Sequence, residues 1–251
     1  MTVKTTNVSP RKHRVICVAS TKGGVGKSTT ATSLSSVLAS MYKQSTVLLD
    51  CDPQGSSTKM LGGDVALAGT AEFILNRGEV IEQKIDDNLC LLAGSPKLSS
   101  PEIANLPSDF LRDALEGGGD TYVIDSSNQS FHLMNLSFLA ATHVIAVSDR
   151  STEGFNGAKN IINHVNTINA RKKGGKIQLI LLLNLHKAKT ERSKLRLEDA
   201  KQFTDIPVFC LDEEEDLAKA AEVFEPICRW SSNKRKKYFQ TYKDIIEEVF
   251  S

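Results

Sequence analysis

Long apolar runs are missing from this sequence of 251 residues. No stretch approaches the roughly 18 consecutive apolar residues that a helix needs to cross a bilayer. The first 14 residues are polar and basic and contain no apolar core, so they do not resemble a secretory signal. The sequence therefore predicts neither a transmembrane helix nor a secreted protein.

Cysteine is scarce and lacks paired spacing. The five cysteines are far apart, and no two of them form a CxxC motif. This arrangement favours free thiols in a reducing cytoplasm over a disulfide framework, and it offers no paired ligands for an iron–sulfur cluster. Hydrophobic residues make up 40% of the chain and charged residues 24%. These values are typical of a folded domain and exclude disordered or collagen-like chains.

Short apolar stretches alternate along the chain with longer segments of helical periodicity. The predicted strands cover residues 15–20, 46–50, 89–93, 121–125, 143–148, 177–184 and 207–211. The predicted helices cover residues 28–42, 108–116, 131–141, 153–170, 190–203 and 233–250. Continuously apolar strands are expected where helices cover both faces of a sheet. The sequence therefore predicts an α/β fold, with a doubly wound, mostly parallel sheet flanked by helices. We expect one domain over residues 15–251, preceded by a loosely ordered basic lead, residues 1–14.

A glycine-rich segment, TKGGVGKST at residues 21–29, separates the first predicted strand from an apolar helix. Glycines let backbone N–H groups converge on phosphate oxygens, and the helix N-terminus adds the positive end of its dipole. In such a loop Lys27 reaches the β- and γ-phosphates, and the Ser28 hydroxyl ligates Mg²⁺. A strand-to-helix turn without a ligand is the alternative, which the two lysines and the Ser-Thr pair disfavour. The predicted nucleotide-binding residues here are Gly23, Gly24, Val25, Gly26, Lys27, Ser28 and Thr29.

The segment from Lys22 to Thr29 resembles the deviant Walker A motif of the ParA/MinD family of P-loop ATPases, in particular the ParA-type DNA partition ATPases. Thr21 occupies the first glycine position of the usual motif, and an additional lysine, Lys22, follows it. The resemblance implies the P-loop NTPase fold, with ATP as substrate and weak intrinsic hydrolysis. It also implies that Lys22 reaches the nucleotide of the partner subunit in an ATP-dependent sandwich dimer. A cation supplied in this way offsets charge on the transferred phosphoryl group.

Two carboxylates stand one residue apart at the end of the second predicted strand, in the sequence DCDPQG. Alternation along an extended chain directs Asp50 and Asp52 to the same side, beside the phosphate loop. The segment resembles a switch segment of the same family. The resemblance implies that Asp52 orients or activates the attacking water and that Asp50 supports the Mg²⁺ region. An acidic strand end that caps the next helix is the alternative.

Two further strand ends carry candidate site residues. Asp125 ends an apolar strand in the pattern of a Walker B motif, and we expect it to hold Mg²⁺ through a water molecule. The family usually continues with small residues and prolines, whereas this chain continues with SSNQ at residues 126–129. Asn184 ends a later strand, where the family often places a residue near the adenine ring. Contact with the base and simple capping of the strand end are equal alternatives for Asn184.

Basic residues are concentrated near the C-terminus, although the net charge of the chain is only +1. Residues 229–243 contain six lysines and arginines and no acidic residue. Such a cluster predicts sequence-independent, salt-dependent binding to DNA, and a solvated helix face is the alternative. The predicted DNA-binding residues are Arg229, Lys234, Arg235, Lys236 and Lys237.

These features together predict a ParA-like ATPase that uses ATP and Mg²⁺, forms an ATP-dependent homodimer and binds DNA non-specifically. By the resemblance, a ParB-like centromere-binding partner stimulates its hydrolysis, and the cycle moves a plasmid or chromosome. We expect a cytoplasmic protein associated with the nucleoid. A MinD-like membrane-cycling regulator and a nucleotide-dependent positioning adaptor for another cargo are the alternatives.

The last predicted helix decides between DNA and membrane as the surface on which such a protein cycles. It carries an apolar stripe at helical spacing, which a bilayer or the protein's own core could cover. Acidic residues beside the stripe would be repelled by an anionic leaflet, so we expect the stripe to pack on the core and membrane binding to be absent. The stripe consists of Tyr238, Tyr242, Ile245, Ile246 and Val249.

Overall fold

The computed structural model describes residues 14–116, 118, 120–172, 175–186, 190–212 and 232–251, with backbone only for residues 185, 186, 212 and 232–238. Its strands are β1 (Val15–Ala19), β2 (Thr46–Asp50), β3 (Gln83–Asp86), β4 (Leu89–Leu92), β5 (Thr121–Asp125), β6 (His143–Ser148), β7 (Gln178–His186) and β8 (Val208–Asp212). They form one sheet in the order β3-β4-β2-β5-β1-β6-β7-β8. Strands β3 and β4 pair antiparallel, and the other neighbours pair parallel.

Helices connect the parallel strands and lie on both faces of the sheet. They are α1 (Lys27–Met41), α2 (Ser56–Met60), α3 (Thr70–Leu75), α4 (Pro101–Ala104), α5 (Phe110–Leu115), α6 (Phe131–Ala140), α7 (Thr152–Arg171), α8 (Glu191–Ala200) and α9 (Ser232–Val249), with a 3-10 helix at Pro96–Ser99. A parallel pair of strands needs a crossover connection that returns the chain to the edge where the first strand began, and helices form these connections here. The predicted doubly wound α/β fold is therefore confirmed.

Two apolar layers enclose the sheet, one on each face. Successive side chains of a strand point to opposite faces, and β1 follows this rule. Val15, Cys17 and Ala19 contribute to the layer that includes α6 and α7, whereas Ile16 and Val18 contribute to the layer that includes α1 and α9. All five side chains are buried, which is why the strand has a continuous rather than an alternating apolar sequence.

The seven predicted strands and six predicted helices all have counterparts in the structure, with boundaries shifted by a few residues. Strand β3 and the short helices between residues 56 and 104 were not predicted. Strand β3 has the polar sequence QKID and is only partly buried at the edge of the sheet, so no apolar run marks it. The short helices contain four to six residues each, too few to show a helical period.

The apolar stripe of the last helix packs on the core, as the sequence predicts. Tyr242, Ile245, Ile246 and Val249 are all buried in the layer that includes α1, while the side chain of Tyr238 is outside the described set. In addition, Arg14 Nε donates a hydrogen bond to the carbonyl of Val249, at 3.3 Å. Across the described residues, no helix combines the length and the apolar character that crossing a bilayer requires.

Candidate active site

Several chemically active residues lie at the carboxyl edge of the parallel sheet. Because β2, β5, β1 and β6 are consecutive neighbours in the sheet, the ends of these strands bring together segments that are far apart in the sequence. Asp50 ends β2 and pairs in register with Asp125 at the end of β5. The glycine-rich loop follows β1. Ligands of open α/β sheets bind at this edge.

The loop has the backbone shape that its glycines permit. Gly24 and Gly26 adopt φ values of +76° and +90°, in a region that residues with a Cβ atom rarely occupy. A Cβ atom on Gly26 would also clash with the side-chain amide of Asn184. Helix α1 begins at Lys27 and has no side-chain cap at its N-terminus. The N–H groups of its first turn are therefore available to an anion.

Lys27 lies in the centre of a buried carboxylate cluster. Its Nζ is 2.6 Å from Asp125 Oδ1 and 3.6 Å from Asp52 Oδ2. Burial by itself lowers the pKa of Lys27, but the nearby carboxylates, first Asp125, outweigh that effect and raise the pKa above its usual value. Lys27 therefore stays charged while only 7% of its side chain is exposed. In this arrangement, carboxylate oxygens pair with the Lys27 ammonium group, as phosphate oxygens would.

Asp50 lies beneath this cluster and is fully buried. Its Oδ2 accepts hydrogen bonds from the backbone N–H and the hydroxyl of Thr58, both at 2.8 Å, and its Oδ1 accepts one from the N–H of Asp52. Burial, assisted by the charge of Asp125, raises the pKa of Asp50 to about 7 despite these hydrogen bonds. Asp50 thus braces the segment after β2 and is more deeply placed than Asp52, which lines the cleft.

Ser57 and Thr58 belong to the cluster, although the sequence analysis did not single them out. The Ser57 hydroxyl donates a hydrogen bond of 2.5 Å to Asp125 Oδ2, so both oxygens of Asp125 are engaged, one by Ser57 and one by Lys27. Thr58 Oγ1 additionally accepts a hydrogen bond from the N–H of Gly94. The only available signal was their position just after the DCDPQG segment, which does not reveal their partners.

Lys22 lines the same cleft as Lys27, but its Nζ has different partners. Its Nζ donates hydrogen bonds to Asp149 Oδ2 at 3.0 Å and to Ser151 Oγ at 2.9 Å, and Glu153 is 3.9 Å away. These partners follow β6 and begin α7. Burial tends to raise the pKa of Asp149, but the hydrogen bonds from Ser151 and Lys22 outweigh it and hold the pKa below its usual range. Asp149 is therefore a charged partner for Lys22.

Asn184 braces the phosphate loop from the neighbouring side. Its Nδ2 donates a hydrogen bond of 2.7 Å to the carbonyl of Val25, and the side chain packs against Gly26. The residue is buried. Its amide nitrogen is thus engaged by the loop backbone, and β7 continues past it to His186, so Asn184 does not end the strand as the sequence predicts. Whether its amide oxygen contacts a base stays a prediction.

Residues 126–129, which depart from the family's pattern, form a hydrogen-bonded turn. Ser127 Oγ accepts hydrogen bonds from the N–H groups of Gln129 and Ser130, both at 3.2 Å. Ser130 Oγ in turn accepts one from the N–H of Leu133 and caps α6. Hydroxyl groups therefore fix this segment, where prolines would otherwise restrict it. Asn128, between the two serines, lines the cleft.

The cleft above the loop has a volume of about 370 Å³. Ser28 and Thr29 line it together with Lys22, Lys27 and Asp52. Within the described part of the chain, no group of three or more His, Cys, Asp or Glu side chains forms a metal cage. A hydroxyl, two nearby carboxylates and open space for phosphates nevertheless fit Mg²⁺, which keeps several waters and binds through few protein ligands. The residues present thus fit a magnesium nucleotide.

The predicted DNA-binding residues are only partly covered by the structure. Arg229 lies outside the described residues, and residues 234–237 fall on the first turns of α9, with their side chains outside the described set. The helical backbone places these four basic residues on consecutive positions of one helix, next to the core-packed part of α9. Their contact with DNA stays a prediction.

The uncapped helix after β1, the glycine loop and the carboxylates at neighbouring strand ends define a P-loop nucleotide-binding protein. Residues 16–227 match the model of the CobQ/CobB/MinD/ParA nucleotide binding domain. The chain belongs to this family, since the match covers most of its length. The resemblance inferred from the sequence is confirmed.

The relatives that this chain resembles include chromosome-partitioning proteins. The chromosome-partitioning ATPase Soj of Thermus thermophilus is 36% identical over 140 residues, which cover 54% of each chain, so the match spans about half the length of that relative. The sporulation initiation inhibitor protein Soj of Bacillus subtilis is 24% identical over 94% of this chain and 98% of its own. A solved complex of a Cyanothece McdA variant with ATP shares the fold, with a TM-score of 0.81 and 19% identity over 94% of this chain and 96% of that one.

Proposed function

We propose that this protein is a ParA-like ATPase that forms an ATP-dependent sandwich dimer, binds DNA non-specifically and drives segregation of a plasmid or chromosome. The position of Lys22 carries the proposal. Its Nζ is held by Asp149 and Ser151 at the mouth of the cleft, whereas Lys27 occupies the carboxylate cluster within it. Two lysines with separate positions suit separate tasks, Lys27 for the nucleotide of its own subunit and Lys22 for that of the partner subunit.

The chain's own groups account for binding and for hydrolysis. The N–H groups of the loop and of α1 bind the phosphates, and Lys27 transfers from Asp125 to the β- and γ-phosphates. That transfer releases Asp125 Oδ1. Mg²⁺, held by Ser28 and, through water, by Asp125 with support from Asp50, would neutralise phosphate charge. Asp52 Oδ1 accepts the N–H of Gln54, which orients the carboxylate so that its other oxygen can position the attacking water.

The dimer couples nucleotide state to DNA affinity. Each subunit contributes the basic cluster at residues 229–243, and a single weak cluster binds DNA only briefly. A dimer doubles their number on one molecule, so the second contact forms at high effective concentration. A ParB-like partner that stimulates hydrolysis would then release the dimer from DNA. Association with the nucleoid in the cytoplasm follows from this cycle, and we propose that residues 15–251 perform it as one domain after the basic lead, residues 1–14.

Burial of the α9 stripe supports DNA over a membrane as the cycling surface. Tyr242, Ile245 and Ile246 are each fully buried, so these side chains are engaged by the core and not available to a bilayer. The positioning of a different cargo by the same nucleotide cycle stays an alternative prediction.

Retention on non-specific DNA across a salt series tests the proposal. We expect the wild type to be retained with a slowly hydrolysed ATP analogue, but not with ADP, and to dissociate steeply as salt rises, because bound phosphates release counterions. Lys22→Ala should lose the ATP-dependent retention. Lys84→Ala is the matched control, since Lys84 is an exposed lysine of β3 paired with Asp87, and it should behave as the wild type. Retention that ignores nucleotide, or that persists at high salt, would contradict the proposal.

A further inference from the structure

Asn128 is a polar side chain at the mouth of the nucleotide cleft with no assigned role. It stands three residues after Asp125, and its Nδ2 lies 3.7 Å from the position that a Cβ atom on Gly23 would take. The amide therefore lies against the start of the phosphate loop. Lys22, Lys27 and Asn128 line the same cleft, so a phosphate bound in this cleft would lie near this segment.

The turn around Asn128 is fixed by its neighbours. Ser127 Oγ accepts hydrogen bonds from the N–H groups of Gln129 and Ser130. Ser130 in turn caps α6. Ser127 is buried, whereas Asn128 is only partly exposed to solvent. The backbone that carries the amide is therefore held before any ligand arrives, which lowers the entropic cost of a contact from it.

The hydrogen-bonding capacity of the Asn128 amide is unused within the part of the chain that the structure describes. No described residue forms a hydrogen bond with its side chain, although the serines on either side each form at least one. An asparagine amide has two N–H donors and one acceptor oxygen. A neutral donor beside two lysines suits a phosphate oxygen, because it adds a directed hydrogen bond without further positive charge.

We propose that Asn128 Nδ2 donates a hydrogen bond to the terminal phosphate of ATP and so favours ATP over ADP. The N-terminus of α1 and the glycines at its start bind the inner phosphates, and Asn128 faces Gly23 at the opposite, outer end of the loop. The outermost phosphate is therefore the one nearest to its amide. This inference rests on the proposed function, whose cycle requires that ATP and ADP be distinguished.

Calorimetric binding of ADP and of a non-hydrolysable ATP analogue tests this assignment without relying on turnover. In Asn128→Ala, we expect affinity for the analogue to fall about tenfold, as for loss of one hydrogen bond to a charged group, and affinity for ADP to stay within about twofold. Asn128→Asp should weaken analogue binding further, because it places a carboxylate against the phosphate. Asn163→Ala is the control, since Asn163 is an exposed asparagine of α7 that lines another cavity.

The outcomes separate this inference from the proposed function. A wild type that binds neither nucleotide would contradict both. A wild type that binds both, with an Asn128→Ala variant whose preference for the analogue over ADP is unchanged, would overturn the inference alone. An equal loss of binding affinity for both nucleotides would also overturn the inference, since that result indicates a general effect on the phosphate loop. Thermal melting of the nucleotide-free variants checks that each one is folded.

Discussion

Lys22 Nζ lies 3.0 Å from Asp149 Oδ2, although 127 residues separate the two in the chain. Strands β1 and β6 are neighbours in the sheet, so the segments that follow them meet at its carboxyl edge. The ion pair fixes the position of a lysine that, in the proposed dimer, must extend to the partner subunit. In that proposed dimer, Asp149 would compete with the partner's nucleotide for Lys22.

Removal of the Asp149 charge should favour the dimer. We expect Asp149→Asn to dimerise with an ATP analogue at a protein concentration about two- to fivefold lower than the wild type, because a partly exposed ion pair contributes up to about 1 kcal/mol. Sedimentation velocity over a concentration series measures this change. Glu153→Gln is the control, since Glu153 is exposed and 3.9 Å from Lys22, and it should have little effect. A variant that dimerises less readily than the wild type would argue against competition.

Loss of the Lys27 charge should destabilise the nucleotide-free protein as well as prevent nucleotide binding. Lys27→Ala leaves the buried carboxylates of Asp125 and Asp52 without their cation, which typically costs about 3 kcal/mol or more. Urea denaturation of the nucleotide-free chain measures the free energy of unfolding. Lys194→Ala removes a lysine from an exposed pair with Glu191 and should cost less than about 1 kcal/mol. Equal stability of the two variants would contradict a stabilising role of Lys27.

Substitution of Asn184 should affect all nucleotides alike, because its amide nitrogen is engaged by the loop carbonyl of Val25. We expect Asn184→Ala to lower the free energy of unfolding by about 1–2 kcal/mol, as for loss of a buried hydrogen bond. The same substitution should lower the binding affinities for ATP and for GTP by similar factors. Competition with a fluorescent nucleotide measures both affinities. A selective loss of ATP affinity would show instead that Asn184 reads the adenine base.

His143 should make the fold sensitive to acid. Burial, together with the charge of Arg14, lowers the pKa of His143 to about 4 from its usual value near 6.5. Between pH 4 and pH 6.5 the unfolded chain binds a proton at His143 that the folded chain does not bind. The contribution of neutral His143 to the free energy of unfolding is therefore fully present above pH 6.5 and is lost as the pH falls toward 4. His143 and Arg14 line one cavity together with the charged residues Lys176, Asp205 and Glu248.

Unfolding of the wild type and of His143→Gln between pH 7 and pH 4.5 measures this contribution. The wild type should lose about 2–3 kcal/mol more than the variant over this interval, at roughly 1.4 kcal/mol per pKa unit. Parallel losses in the two proteins would show that other groups dominate the acid sensitivity.

The sequence was sufficient to predict the central strands and the loop because each has a local signature. Strand β5 is an apolar run that ends in Asp125, and the loop has glycines at the two positions where φ is positive, Gly24 and Gly26. Strand β3 has no such signature. It is a polar edge strand that exists because β4 offers unpaired backbone groups next to it.

Partners across the sheet could not be predicted from local patterns. Asp149 was not singled out, because nothing in its neighbourhood indicates that Lys22 is close. Asn184 was predicted to end its strand, but β7 continues to His186, and the hydrogen bond from Asn184 to Val25 depends on the order of β1, β6 and β7 in the sheet. Such contacts depend on the order and register of the strands. Strand order and register are properties of the whole fold, and no local sequence pattern reveals them.

The oligomeric state of the wild type and of Lys22→Ala with a non-hydrolysable ATP analogue tests the central claim most directly. Sedimentation velocity, with analogue binding verified separately by calorimetry, gives the answer in one comparison. We predict that the wild type is a dimer with the analogue and a monomer with ADP, and that Lys22→Ala binds the analogue but stays a monomer. A Lys22→Ala variant that dimerises as fully as the wild type would contradict the assignment of Lys22 to the nucleotide of the partner subunit.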